Sequence, residues 1–114
     1  MIVEDNILMR RTLKSFVGLA GNEFVECDDG SMALSLFEQA RPDWVLMDIQ
    51  LKAVDGITAT RQIIKVYPDA KIIMVTNFHE SAFRHAAKVA GAIGYVAKDN
   101  LSKLPLFLSG NISS

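Results

Sequence analysis

The sequence predicts a doubly wound α/β domain built on five parallel strands, and three observations carry that prediction. Short apolar runs of strand length recur along the chain, separated by segments whose apolar residues fall at helical spacing. Runs such as Val45-Leu46-Met47 and Ile72-Ile73-Met74-Val75 are apolar without alternation, which suits strands covered on both faces. Most of these runs end in a polar residue, at the carboxyl edge where open α/β sheets bind their ligands.

Taken in order, the strand signals fall at residues 2–3, 24–27, 44–47, 71–75 and 95–97. Between the first two, Met9, Leu13, Phe16, Val17 and Ala20 share one helical face, and Gly21-Asn22 supplies the stop. Ser31, after Asp28-Asp29-Gly30, is the expected cap of a second helix that runs through Glu38 with Ala33, Leu34 and Phe37 inward, ended by Pro42. Asp55-Gly56 opens a third helix carrying Ile57, Ile63, Ile64 and Tyr67, closed by Pro68. A fourth, residues 80–90, turns Phe83, Ala86, Ala87 and Ala90 inward and stops at Gly91. A last short helix is expected to be capped at Ser102, which puts Pro105 in its first turn, with Leu101, Leu104, Phe107 and Leu108 apolar and Gly110 beyond the end. Residues 111–114 read as a frayed tail.

Composition sets outer bounds. The chain has 114 residues, half of them apolar, which is enough for one domain with a sizeable core. Twelve basic and thirteen acidic residues leave a net charge of −1, so no basic footprint for nucleic acid is present. The lone Cys27 excludes an intrachain disulfide and fits a reducing compartment. No apolar run approaches the length of a bilayer span, and no charged-then-apolar leader follows Met1, so a cytoplasmic location is expected with no membrane partner.

The strand ends hold the chemistry. Glu4-Asp5 follows the first strand, Asp48 the third, Thr76 the fourth and Lys98 the fifth. Three carboxylates brought together would raise one another's proton affinity unless a cation intervened, and an all-oxygen set suits Mg²⁺ better than zinc. A hydroxyl and an ammonium beside them are what a phosphoryl group needs. Taken singly, each residue has a plain alternative: Asp48 as a turn residue, Thr76 as a β-branched strand end, Lys98 as a solvated charge, Tyr95 as core-edge packing. His79 and His85 match no metal spacing and read as surface residues.

With VEDN, VLMDIQL, IIMVTN and GYVAKDN in this order, the chain resembles the receiver domain of two-component response regulators over nearly its whole length. The GAIGYVAKD stretch is most similar to the subgroup that carries a C-terminal helix-turn-helix DNA-binding domain. The resemblance implies a flavodoxin-like sheet in the order 2-1-3-4-5, with a receiver over residues 1–114. Asp48 would be the phosphoacceptor, taking its phosphoryl group from a sensor histidine kinase or a small acyl phosphate. Asp5, Asp48 and the backbone carbonyl of Gln50 would hold Mg²⁺, with Glu4 acting mainly through water. Thr76 and Lys98 would bind phosphoryl oxygens, and Thr76 with Tyr95 would form the switch. Such a chain would be a self-phosphorylating phosphoacceptor rather than a turnover enzyme.

Several positions depart from the family's pattern. Lys52 stands where a proline is common, which predicts a less rigid and more positive loop. Asn77 replaces a smaller residue, and Gln50 and Phe78 sit where dephosphorylation is tuned, a large aromatic there favouring slow hydrolysis. The short first strand and curtailed last helix suggest a shortened or variant receiver, which bears on any phosphorylation-dependent homodimer that pairs through that helix. No recognition helix lies in these 114 residues, so DNA contact would belong to an effector domain outside them. The competing functions are a free-standing receiver, a pseudo-receiver acting by protein interaction alone, and a Mg²⁺-dependent phosphohydrolase. The last uses an aspartyl nucleophile but wants a second acid where Gln50 stands.

Overall fold

The computed structural model describes residues 1–17 and 25–108. The expectations placed on Ala20, Gly21, Asn22, Phe24, Gly110 and the tail lie outside the described residues. The elements are β1 (Ile2–Val3), α1 (Ile7–Val17), β2 (Glu26–Cys27), α2 (Ala33–Ala40), β3 (Val45–Met47), α3 (Gly56–Val66), β4 (Ile72–Thr76), α4 (Ser81–Ala90), β5 (Gly94–Ala97) and α5 (Leu104–Leu108). All strand pairs are parallel, in the expected order β2-β1-β3-β4-β5.

Alternate residues of the central strands feed two cores. Val3, Val45, Met47, Ile72 and Met74 face α2, α3 and α4, where Ala33, Phe37, Ala59, Ile63 and Ala87 meet them. Ile2, Leu46, Ile73, Val75 and Val96 face α1 and α5, against Leu13, Leu104 and Phe107. Helices cover both faces, which explains the unbroken apolar runs. Ile73 is fully buried at the middle of β4. Ile73→Ala is expected to lower the free energy of unfolding by about 3 kcal/mol, read from urea denaturation.

Local chemistry moves several boundaries. The entry to α2 is capped by Asp29, not Ser31: the Asp29 carboxylate accepts the Ser31 N–H at 2.9 Å, and a 3-10 turn over Gly30–Met32 precedes the helix. With its own N–H held by Asp29, Ser31 lies inside the turn rather than at its start, and is exposed. The helix continues past Glu38 to Ala40 and ends on Arg41 in the left-handed region, φ 45°. The ladder of β3 starts one residue after Trp44, and Lys71 stands just outside β4, its carbonyl accepting the Val45 N–H at 2.9 Å. Thr76 is the last residue of β4, and β5 begins at Gly94.

Other expected devices are present. The Asp55 carboxylate accepts the Thr58 N–H at 2.9 Å and its hydroxyl at 3.0 Å, capping α3, whose C-cap is Tyr67. Gly91 ends α4 with φ 112°, a conformation that favours glycine. Ser102 does not cap the last helix. It lies within a 3-10 stretch over Lys98–Lys103, kinked at Asn100, and α5 starts at Leu104 with Pro105 in its first turn. Leu101 and Leu104 are both buried, and their anchoring selects the tighter turn over a side-chain cap at 102. No helix among the described residues is long and apolar enough to cross a membrane.

Candidate functional site

Register places the site. Val3 pairs with Met47, so the next residues, Glu4 and Asp48, stand side by side at the carboxyl ends of the central strands. The ladder carries on through them: the Glu4 N–H donates to the Cys27 carbonyl at 2.9 Å, and the Asp48 N–H to the Val3 carbonyl at 3.0 Å. Ligand oxygens of Glu4, Asp5 and Asp48 lie within 4.8 Å of one another. Glu4 is 1 % and Asp48 5 % exposed, whereas Asp5 is exposed.

Lys98 closes the cluster. Its Nζ donates to Asp48 Oδ2 at 3.0 Å and lies 2.6 Å from Glu4 Oε1. The second contact is a close, buried ion pair. Glu4 Oε2 accepts the Asn6 N–H at 3.1 Å. Burial pushes the Glu4 carboxyl above its ordinary value and the charge of Asp48 adds to this, against the opposing pull of Lys98 and the Asn6 N–H. Burial alone would lower the Lys98 ammonium, but its bonds to Glu4 and Asp48 outweigh that and raise it. The cluster carries more negative than positive charge in a poorly solvated place. Its all-oxygen donor set suits a hard divalent cation. The carbonyl of Gln50, two residues past Asp48, accepts no protein hydrogen bond among the described residues.

The other expected residues take distinct places. Thr76 pairs with Ala97, the neighbour of Lys98, and is 1 % exposed. Its hydroxyl accepts the Phe78 N–H at 3.2 Å. Tyr95, half-buried, donates its phenol to the Phe78 carbonyl at 2.8 Å, and Arg84 lies over its ring at 4.6 Å. Phe78 is held at both ends of its backbone, and its ring stacks on Phe83 of α4 at 4.6 Å. Asn77 is exposed beside it. Gln50 and Lys52 are exposed on the loop after Asp48, where Lys52 forms a bridge to Asp29 and its carbonyl accepts the Val54 N–H at 2.7 Å. His79 and His85 are exposed, His79 being 3.8 Å from Asp99.

Gly56 locks the floor of the site. Its N–H donates to the Ile49 carbonyl at 2.8 Å, and a Cβ built on it would stand 1.8 Å from the Asp48 carbonyl oxygen. Only a residue without a side chain lets the start of α3 press on the strand end that carries Asp48. A cleft of about 400 Å³, lined by Phe37, Arg41, Tyr67 and Lys71 among others, lies at the opposite edge, where β3 and β4 begin. It is remote from the carboxylates.

The family described as Response regulator receiver domain matches residues 1–106. The chain belongs to that family. It is 36 % identical to the transcriptional regulatory protein DegU of Brevibacillus brevis over 102 residues, 87 % of this chain and 43 % of DegU. It is 35 % identical to the chemotaxis protein CheY of Thermotoga maritima, over 86 % of this chain and 82 % of CheY. A two-component response regulator of the LuxR family from Aurantimonas sp. SI85-9A1 superposes with a TM-score of 0.89 at 31 % identity, covering 97 % of this chain and 81 % of that one. This receiver spans less than half the length of DegU and other curated transcriptional regulators that it matches.

Arg10 was not singled out by the sequence. Its guanidinium reaches the backbone of the acidic turn, a contact that depends on how α1 packs beside β1 and β2. The stacking of Phe78 on Phe83 depends on the path of the chain from β4 into α4, which no spacing in the sequence announces.

Proposed function

We propose that this receiver accepts a phosphoryl group on Asp48, from a sensor histidine kinase or a small acyl phosphate, with Mg²⁺ at Glu4, Asp5, Asp48 and the Gln50 carbonyl. The convergence of three carboxylates at the carboxyl edge of the sheet, two of them paired with Lys98, is the observation that carries this reading. An Asp48 carboxylate oxygen attacks phosphorus, the bond from phosphorus to the donor's oxygen or nitrogen breaks, and the leaving group departs with that electron pair. Bound Mg²⁺ would neutralise charge on the transferring group. Lys98, freed from one carboxylate, pairs with a phosphoryl oxygen. Thr76 shifts to donate its hydroxyl hydrogen to another, displacing the Phe78 N–H that its oxygen accepts, and Tyr95, bonded to the same residue, senses that movement.

The regulators among its relatives support a role in transcription, with DNA contact made by a portion of such proteins that this chain does not span. A cytoplasmic location and a phosphorylation-dependent homodimer belong to the same reading. Lys52, Asn77 and Phe78 tune the lifetime of the acyl phosphate, and the packed Phe78 favours slow hydrolysis. The phosphohydrolase reading is disfavoured because Gln50 offers no carboxylate.

Incubation with Mg²⁺ and acetyl phosphate, followed by intact mass, tests the proposal. One hydroxylamine-sensitive phosphoryl adduct is expected, lost when EDTA replaces Mg²⁺. Continuous release of phosphate without an adduct would point to the hydrolase, and inertness with both acetyl phosphate and a kinase to a binding module.

A further inference from the structure

Arg10 lies on α1, outside the acidic cluster, and has no part in the transfer just described. Its Nη1 donates to the Glu4 carbonyl at 2.6 Å, and its Nε to Glu26 Oε1 at 3.0 Å. Lys14 Nζ holds the other Glu26 oxygen at 2.7 Å, and Glu26 is kept below the usual carboxylate range by Lys14 first and Arg10 next, against the effect of burial. The Glu4 carbonyl belongs to the peptide that joins Glu4 to Asp5, and a peptide is planar, so the guanidinium fixes the direction in which the chain leaves β1. On the inner side, Asn6 secures the same turn through its N–H to Glu4 Oε2 and its Oδ1 to the Met9 N–H at 2.9 Å. The Asp5 carboxylate itself accepts no protein hydrogen bond among the described residues. Its position is set by the backbone alone.

We propose that Arg10, braced by Glu26, is a positioning residue that holds the Glu4-Asp5 turn in the geometry a divalent cation needs. The proposal rests on the reading of this cluster as a Mg²⁺ site. Two simpler roles are separated from it by sign. A guanidinium acting only as a nearby positive charge repels the cation, so its removal would tighten binding. An arginine that only stabilises the fold would leave affinity unchanged on removal. Groups that orient metal ligands typically contribute about 10- to 100-fold in affinity. Lysine supplies the charge but not the fork that reaches two acceptors, so it restores only part of the effect.

Calorimetric titration of the chain with Mg²⁺, with urea midpoints taken in EDTA on the same samples, decides the matter. Arg10→Ala is expected to raise Kd by about 10-fold, with smaller rises in Arg10→Lys and Glu26→Gln. A Kd that is unchanged or lower in Arg10→Ala, while the wild-type chain binds Mg²⁺, overturns the strut and leaves the site reading intact. If Arg10→Ala does not fold, Glu26→Gln carries the decision, and an unchanged Kd there overturns the proposal. A wild-type chain that takes up no Mg²⁺ overturns the site reading and the strut with it.

Discussion

Asp48→Asn is expected to yield no phosphoryl adduct with Mg²⁺ and acetyl phosphate, in a protein that stays folded. The amide is neutral and a poor nucleophile, and it withdraws one anionic ligand from the cluster. Loss of a nucleophile that acts as part of a unit should cost at least ~10³-fold in rate. Folding is retained because the substitution is close to isosteric and removes an anion that raises the Glu4 carboxyl, while Lys98 keeps its pair with Glu4. Intact mass and a urea midpoint on the same preparation check both halves. An adduct of normal yield on the variant would move the acceptor elsewhere.

Lys98→Met is expected to cost about 3 kcal/mol of stability at pH 8 without divalent cation, because it leaves two buried carboxylates without their shared counter-charge. The sign of the pH dependence follows from Glu4. Its folded pKa lies above the ordinary value of 4.5, so the native state binds the proton more tightly than the unfolded chain does. Stability therefore falls as pH rises from that value through the folded pKa. Without Lys98 the folded pKa rises further and the window widens upward, so the deficit at pH 5 should be smaller than at pH 8. Saturating Mg²⁺ should return part of the loss at pH 8 by binding only the native state. In the wild-type chain the contribution of Lys98, whose folded pKa is raised, is fully present below its ordinary 10.5 and is lost as pH rises through the folded value. Equal losses at pH 5 and pH 8, with or without Mg²⁺, would count against this electrostatic account.

Much of this was legible in the chain because the sheet is buried on both faces. Continuous apolar runs mark its strands, and each run's end fixes where a polar side chain emerges, so Glu4, Asp48 and Lys98 could be placed on one rim before any contact was known. Thr76 reads as a strand end and is one, yet its hydroxyl is engaged by the Phe78 N–H, which no spacing rule announces. Caps were less legible. Asp28, Asp29 and Ser31 all suit the role, and only the 3-10 turn over Gly30–Met32 selects Asp29. Ser102 failed for a similar reason, since the buried Leu101 and Leu104 dictate the path there. Arg10 was out of reach because its partners, a carbonyl in the β1–α1 turn and a carboxylate on the edge strand, meet it only after the sheet has assembled.

The contact at Gly56 sets a limit on how this protein can vary. Lys52 and Asn77 are exposed and free to drift under selection for signal duration, while any side chain at position 56 collides with main-chain atoms that cannot rotate away. A saturation library screened for soluble expression should accordingly return glycine alone at 56 and a broad alphabet at 52. Evolution can retune the clock of the switch from its outer loops, but has no freedom to redesign the anvil on which the acceptor rests.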